Sequence, residues 1–372
     1  MSTDSNPCYK LRILHTESSC GWGGQEIRIL TESAGMIARG HAVTLACPPE
    51  AKIFSEATRY GVPSIALPIA RKRWRGLLAL RALLEKTDTD VVITHSSTDS
   101  WLTALACASL KNGPPIVRTR HISSPIPNNM TSRWIYSRAP SHIVTTGEAL
   151  RGTLITQFGL LPHRVTSIPT GIDTLRFQPG NKTRACIELG LNPDLNYVGI
   201  IATLRSWKGH RFLVEAFASL NAPDWNLVIV GDGPQKDSLR TQIQALGLSG
   251  RIHQVGQQNN AERWMQALDI FCLPSYANEG VPQAILQAML TGLPIVTTPV
   301  GAILEAVTDR ETALIVEPRS RESIAIALNT LMGSADLRRD LGNRARQMAL
   351  SSFSLEGMLD RMEQIFLELL GK

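Results

Sequence analysis

No two of the six cysteines, Cys8, Cys20, Cys47, Cys107, Cys186 and Cys272, stand in a C-x-x-C arrangement. That excludes a disulfide frame and a zinc site as the organiser of the fold. Cys47, Cys107 and Cys272 sit in apolar runs, so the expectation is reduced, buried thiols in a cytoplasmic protein. No run of about twenty apolar residues occurs, so no helix is expected to span a membrane. The opening "MSTDSNPCYK" lacks the basic-then-apolar pattern of a signal peptide. Membrane contact can then only be peripheral. Aromatic residues make up 5% of the chain, and no stacking array of them appears. The net charge of +6 is mild and is not gathered along one helix. Both features argue against a nucleic-acid partner. An anionic ligand or an anionic membrane surface suits the charge better.

What is present is the composition of a globular chain long enough for two domains: 372 residues, 43% hydrophobic and 19% charged. Short apolar runs alternate with longer amphipathic stretches. "LRILH", "AVTLAC", "SIALP", "VVIT", "PIVRT", "HIVTT" and "RVTSI" are the strand candidates of the first half. The pattern restarts after residue 195 with "YVGIIAT", "NLVIVG", "RIHQVG", "DIFCLP", "PIVTTP" and "ALIVEP". Strands separated by helical stretches argue for βαβ units and parallel sheets. The Gly/Pro/Asn/Asp-rich segment 169–196 reads as a linker. The reading is α/β, with two Rossmann-like doubly wound domains facing across a cleft, 1–173 and 174–353. A C-terminal helix within 354–372 is expected to pack back on the first domain. Ligands of such sheets bind beyond the carboxyl ends of the strands.

The loops at those ends carry the chemistry. "HTESSCGWGGQE" sets Gly23 and Gly24 before a helix, where backbone N–H groups can meet an anion. It is not an NAD fingerprint, because Glu26 stands where the third glycine belongs. It is not a Walker loop, because no G-K-[ST] follows. "IATLRSWKGH" places Arg205 and Lys208 at a strand exit, a pair suited to a diphosphate. "VIVGDGPQ" adds Gly231 and Gly233, which shape a loop facing the cleft. In "NEGVPQAILQAM", Glu279 is expected near a helix N-cap, with the helix from Val281 to Leu290 and Gln287 two turns in. His95, Ser97, Asp99, Arg118, Arg120 and His121 are expected to project from carboxyl strand ends of the first half. The acidic "DTD" at 88–90 lies before a strand, the wrong end for a ligand, and no metal is expected.

Taken in order, these pieces resemble a GT-B glycosyltransferase of family 4, a retaining group that includes bacterial lipopolysaccharide and cell-surface glycan enzymes. "LPSYANEGVPQAILQAMLTGLPIVTTP" is similar to its Ser, Glu-x-x-x-x-x-x-x-Glu and "AM-x-x-G-x-P-V-V-x-T" signature. "PTGIDTLRF", "LRSWKGH" and "GWGGQE" resemble its hinge, its basic turn and its first Gly-rich loop. The resemblance implies transfer of a sugar from a UDP- or GDP-sugar to a hydroxyl of a glycan or lipid-linked acceptor, without a metal or other cofactor. It implies that Arg205 and Lys208 hold the diphosphate and that Glu279 bonds sugar hydroxyls. Backbone N–H groups of Gly280 and Val281 would face phosphate or sugar, and His121 would lie near the donor sugar. Gly23 and Gly24 would approach the phosphates. The helical acid of the signature is replaced here by Gln287, which can still bond a ribose diol without charge.

"RKRWRG" is the densest basic run, with Arg71, Lys72, Arg73 and Arg75 around Trp74. With His95, Ser97, Asp99 and Arg120 it forms the expected acceptor side, and anionic lipid headgroups are its candidate partner. The expected location is the cytoplasm, peripheral on the inner face of its membrane. A sugar-nucleotide 2-epimerase of the same architecture is one rival reading. A non-catalytic nucleotide-sugar-binding protein is the other.

Overall fold

A computed structural model describes residues 9–121, 124–277 and 279–372. Cys8, Asn278 and the Ile122-Ser123 pair of "RTRHISSPIPNN" lie outside them. The chain divides into two units. One runs to Gly171 and takes in Leu355–Lys372, and the other is Ile172–Ser354.

In the first unit the strands are β1 (Arg12–Thr16), β2 (Ala42–Cys47), β3 (Ser64–Ala66), β4 (Val91–Thr94), β5 (Ile116–Arg120), β6 (His142–Thr145) and β7 (Val165–Ser167). The helices are α1 (Gly24–Ala38), α2 (Lys52–Ala57), α3 (Trp74–Lys86), α4 (Ser97–Ala108), α5 (Met130–Ser137) and α6 (Glu148–Phe158). In the second unit β8 (Asn196–Ile201), β9 (Trp225–Val230), β10 (Ile252–Gly256), β11 (Ile270–Leu273), β12 (Ile295–Thr297) and β13 (Leu314–Ile315) form the sheet. Around it lie α7 (Lys182–Glu188), α8 (His210–Ala218), α9 (Lys236–Ala245), α10 (Ala261–Ala267), α11 (Gln283–Thr291), α12 (Arg321–Met332) and α13 (Ala335–Ser352). The last helix, α14 (Leu355–Leu369), belongs to the first unit.

Both sheets are wholly parallel. Their orders are β3-β2-β1-β4-β5-β6-β7 and β10-β9-β8-β11-β12-β13. Helices cover both faces of such a sheet, so its strands read as continuous apolar runs. Every residue of β4, β9 and β11 is buried. In each sheet the strand order reverses beside the first strand, between β1 and β4 and between β8 and β11. That reversal is where loops diverge and leave room for a ligand.

α14 closes the core of the first unit. Met358, Leu359, Met362, Ile365 and Phe366 are buried among residues of β1, β2, β4 and α1. Burying each such side chain contributes about 1.5–3 kcal/mol. Gly35 of α1 is in close contact, since a Cβ there would meet Leu359 at 2.4 Å. Arg39 fastens the edge with Glu356 at 2.6 Å, Asp360 at 2.7 Å and Glu363 at 3.0 Å.

Three helices of the second unit lie outside the sequence reading. α10 stands where no helix was expected. α7 lies inside the segment read as linker, started by Asn181, whose side chain accepts from the Arg184 N–H. α13 was not expected at all. Its buried stripe is Leu341, Gly342, Ala345 and Ala349, mostly small residues that give little hydrophobic periodicity. The small residues allow contact, for a Cβ at Gly342 would stand 2.1 Å from the Gly292 carbonyl.

Candidate functional site

At the carboxyl edge of the second sheet, a one-turn 3-10 helix, Ser206–Lys208, follows the loop after β8. Gly209 ends it at φ +79°, and a Cβ there would lie 2.0 Å from the Pro274 carbonyl. Only glycine fits that approach. The Tyr276 N–H donates to the Trp207 carbonyl at 2.8 Å, which ties the loop after β8 to the loop after β11. This tie brings Lys208 to Glu279. The ammonium donates to both carboxylate oxygens, at 2.7 and 2.9 Å. Ser275 Oγ donates to the same carboxylate at 2.6 Å. Glu279 is 4% exposed. Gly301, at φ +62°, lies against its backbone, where a Cβ would be 2.1 Å from the Glu279 carbonyl. A charge-assisted, bidentate contact of this kind fixes both partners. The edge therefore presents one fixed cation and one fixed hydrogen-bond acceptor.

Several expectations for this edge change. α11 begins at Gln283 with Pro282 as its N-cap residue. Glu279 is therefore not a capping acid, and the N–H groups of Gly280 and Val281 precede the helix rather than open it. Proline explains the shift, because it presets the backbone but donates nothing. Gln287 is half-buried on α11 beside Ala284, whereas Ala288 is fully buried. Gly231 and Gly233 have a reason within the fold. At φ +141° and +155°, added Cβ atoms would meet the Ala202 carbonyl at 2.0 Å and the Leu204 backbone at 2.9 Å. Arg205 does not join Lys208. Its exposed guanidinium lies 5.7 Å from the Trp207 ring centre. It lines a cavity of 280 Å³ with His210, Gln235, Ser238 and Gln242. A cation that sequence reasoning missed, Arg319, sits 4.3 Å over the Tyr276 ring.

The carboxyl edge of the first sheet is built differently. Register places Thr16 opposite Thr94, so His15 near the end of β1 and Glu17 just after it meet the residues that follow β4. His15 Nδ1 and His95 Nε2 are 3.0 Å apart, and His95 Nδ1 and His121 Nε2 are also 3.0 Å apart. Three imidazoles thus form one chain. Burial, followed by the nearby Arg28 guanidinium, pushes His15 down to about 3. Burial also drives His95 and His121 well below the ordinary histidine value, and neighbouring positive groups add to it. All three are neutral at pH 7.

Beside the chain lie two buried carboxyls. Glu17 accepts from the Ser19 N–H at 2.7 Å, from Ser96 Oγ at 2.5 Å and from Gln25 Nε2. Burial raises its pKa, against those three hydrogen bonds. Asp99 accepts from the His95 N–H at 2.8 Å, the Ser96 N–H at 2.9 Å, Thr16 Oγ1 at 3.2 Å and Ser18 Oγ at 3.3 Å. With Ser96 it forms the capping box of α4. Burial, then the charge of Glu17, holds Asp99 well above the usual carboxylate range. Asp99 is fully buried, so it positions the loop and does not project towards an acceptor, as had been expected. Ser97 accepts from Lys72 Nζ at 3.3 Å. Arg118 is buried too, donating to the Ile135 carbonyl and stacking on Tyr136 at 3.9 Å. Arg120 donates to the Ser124 carbonyl at 2.9 Å. His15, Glu17 and Gln25 were missed, although an acid directly after the first strand was a readable signal.

Gly23 is the N-cap of α1 with extended backbone at φ −177°. An added Cβ would meet nothing closer than Glu26 at 3.8 Å. Arg71, Arg73, Trp74 and Arg75 are all exposed at the start of α3, Trp74 by 66%. Cys47, Cys107, Cys186 and Cys272 are buried free thiols, while Cys20 is exposed. Among the described residues no helix is long and apolar enough to cross a membrane, and no group of three His, Cys, Asp or Glu could hold a metal ion.

Residues 22–176 match the family model described as Glycosyltransferase Family 4, and residues 182–348 the one described as Glycosyl transferases group 1. Over 161 residues the chain is 40% identical to the lipopolysaccharide core biosynthesis mannosyltransferase LpsB of Rhizobium meliloti. That match covers 41% of this chain and 46% of the relative, so it spans less than half of that protein. The chain is 25% identical over 324 residues to the UDP-Gal:alpha-D-GlcNAc-diphosphoundecaprenol alpha-1,3-galactosyltransferase of Escherichia coli, covering 83% of each. Its fold matches the crystal structure of Anabaena HepE in complex with UDP and glucose at TM-score 0.83 and 20% identity, over 95% of this chain and 99% of that one.

Proposed function

The chain belongs to the family 4, group 1 glycosyltransferases, with the GT-B fold, and from that premise we propose that it moves a sugar from a nucleoside diphosphate to a hydroxyl of a glycan or lipid-linked acceptor in cell-surface polysaccharide synthesis. The observation that carries this reading is the Lys208–Glu279–Ser275 cluster at the reversal point of the second sheet. Lys208 would hold the donor diphosphate and offset the negative charge that grows on it as the glycosidic bond breaks. Glu279 would accept from sugar hydroxyls. Gln287 would bond the ribose, and His121 the sugar in transfer. The fold has no steric need for glycine at 23, which supports a ligand passing close to that backbone. Arg205 has a weaker claim than Lys208, since it lines a cavity to which neither Lys208 nor Glu279 contributes.

We read the reaction as retaining and as needing no metal, with Lys208 supplying the positive charge. The exposed Arg71, Arg73, Trp74 and Arg75 support peripheral contact with an anionic membrane from the cytoplasm. A panel of UDP- and GDP-sugars is screened by thermal shift, then the strongest stabiliser is tested for turnover with lipid-linked and free glycans. A stabilising donor that is transferred supports the proposal. A donor whose sugar is only epimerised, with no transfer to any acceptor, overturns it.

A further inference from the structure

The histidine chain in the first unit has a direction. Each nitrogen-to-nitrogen contact needs one proton, shared by two rings. Three neutral imidazoles carry three protons, and the two contacts use two of them. The third proton sits at one end, on His15 Nε2 or on His121 Nδ1. Giving His95 both protons would make a buried cation, and giving it none a buried anion. Both are costly at 5% exposure.

The inner end decides between the two arrangements. His15 is fully buried, and its Nε2 has no hydrogen-bond partner among the described residues. An orphaned buried N–H is rarer than an under-satisfied acceptor. The positive charge of Arg28, close enough to act on His15, also favours a lone pair there over a hydrogen. The arrangement follows. His15 Nδ1–H donates to His95 Nε2, and His95 Nδ1–H donates to His121 Nε2. The His15 and His95 ring planes lie within 4° of parallel, which suits an in-plane N–H meeting an in-plane lone pair. The Thr146 hydroxyl holds the His121 carbonyl at 3.2 Å, so the outer ring is anchored through its backbone as well. His121 Nδ1 has no partner recorded among the described residues, and its ring is half-buried.

We propose that His15 and His95 are positioning residues that lock His121 in its Nδ1–H tautomer, so that it meets a ligand oxygen as a hydrogen-bond donor and not as a base. The ligand oxygen rests on the glycosyltransferase reading, where it is a sugar hydroxyl or a phosphate oxygen. The tautomer does not rest on it. Which nitrogen carries the proton is set by the bond the other one makes.

The test is long-range proton–nitrogen correlation NMR on the ligand-free full chain with labelled histidine at pH 7. His121 is assigned by its loss in His121→Asn. The expected wild-type pattern is Nδ1–H. A His95→Phe variant keeps an aromatic ring but can neither donate nor accept, and His121 is expected to shift to the Nε2–H form favoured by a free imidazole. If His95→Phe does not fold, His15→Phe, which removes the inner end, is expected to give His121 as a mixture of both forms. A wild-type His121 in the Nε2–H form overturns the proposal. So does a His121 that stays Nδ1–H in the variant that folds. Neither reading needs turnover, so a failed activity assay and a failed tautomer are distinguishable.

Discussion

The two sheets share one strand order around their first strands, yet their carboxyl edges carry opposite kinds of chemistry. The second edge holds formal charges, Lys208 against Glu279, drawn together by loop-to-loop backbone contacts. The first edge holds buried groups, three neutral histidines and two carboxyls, Glu17 and Asp99, that burial pushes up from the usual carboxylate range. A charge is useful where charge develops, and a neutral donor is useful where an oxygen must be placed without attracting other ions. One architecture carries a charged Lys–Glu pair at one edge and a chain of neutral imidazoles at the other.

The sharpest way to break this contrast is at Lys208. Lys208→Ala is expected to lower kcat/KM by about 100- to 1000-fold, the usual loss for a group that stabilises transition-state charge. Full turnover in a steady-state assay would remove the charged half of the comparison. Next in size is the basic turn of α3. Replacing Arg71, Arg73 and Arg75 together with Ala should weaken binding to anionic vesicles by about 3 kcal/mol, near 1 kcal/mol for each residue. A sedimentation assay with unchanged binding would take the membrane from the first unit.

The third prediction concerns acid. His210 of the second unit is buried, and burial, then Lys208, holds it at about 3 against 6.5 when unfolded. The unfolded state therefore binds a proton below 6.5 that the folded state refuses. Stability is whole above 6.5 and falls as pH drops towards 3, by at most about 1.4 kcal/mol for each pH unit. Urea midpoints at pH 7 and pH 5 should differ less in His210→Phe than in the wild type. In the first unit the raised Glu17, Glu32 and Asp99 act in the opposite sense to its depressed histidines, so no single substitution there gives so clean a slope.

The smallest effect separates two glycines. Gly209→Ala meets a left-handed backbone and the Pro274 carbonyl, and should cost more than about 1 kcal/mol in a thermal or urea melt. Gly23→Ala has extended backbone and meets only Glu26, at an ordinary contact distance of 3.8 Å. Its stability should stay within about 0.5 kcal/mol while donor affinity, measured by calorimetry, falls. Equal losses of stability in both would dissolve the distinction between a glycine the fold needs and one a ligand needs.

The same contrast explains what the sequence made legible. The parallel strands were readable because burial on both faces leaves short Val/Ile-rich runs such as "VVIT" and "NLVIVG". Lys208 stood out as a cation at a strand exit, whereas Glu279 alone read as a capping acid and took its role only from the resemblance. The histidine chain was not. It comes from the pairing of β1 with β4 and β4 with β5, and no single stretch of sequence holds two of its members. Asp99 was misread for a related reason. Its side chain turns back onto its own loop and β1, which only the capping geometry of α4 reveals.

The return of α14 to the first unit bears on how the chain is made. Its buried residues complete a core that begins with Leu11 and Ile13, yet a ribosome adds them only after the whole of Ile172–Ser354. The second unit is contiguous, and its two ends are already side by side, with Ile172 bridged to Ser354. It can therefore finish folding during synthesis, while the first unit waits with its α1 face uncovered. The unit that starts first is completed last, and a stalled or truncated product would expose Met36 and its neighbours as a sticky surface.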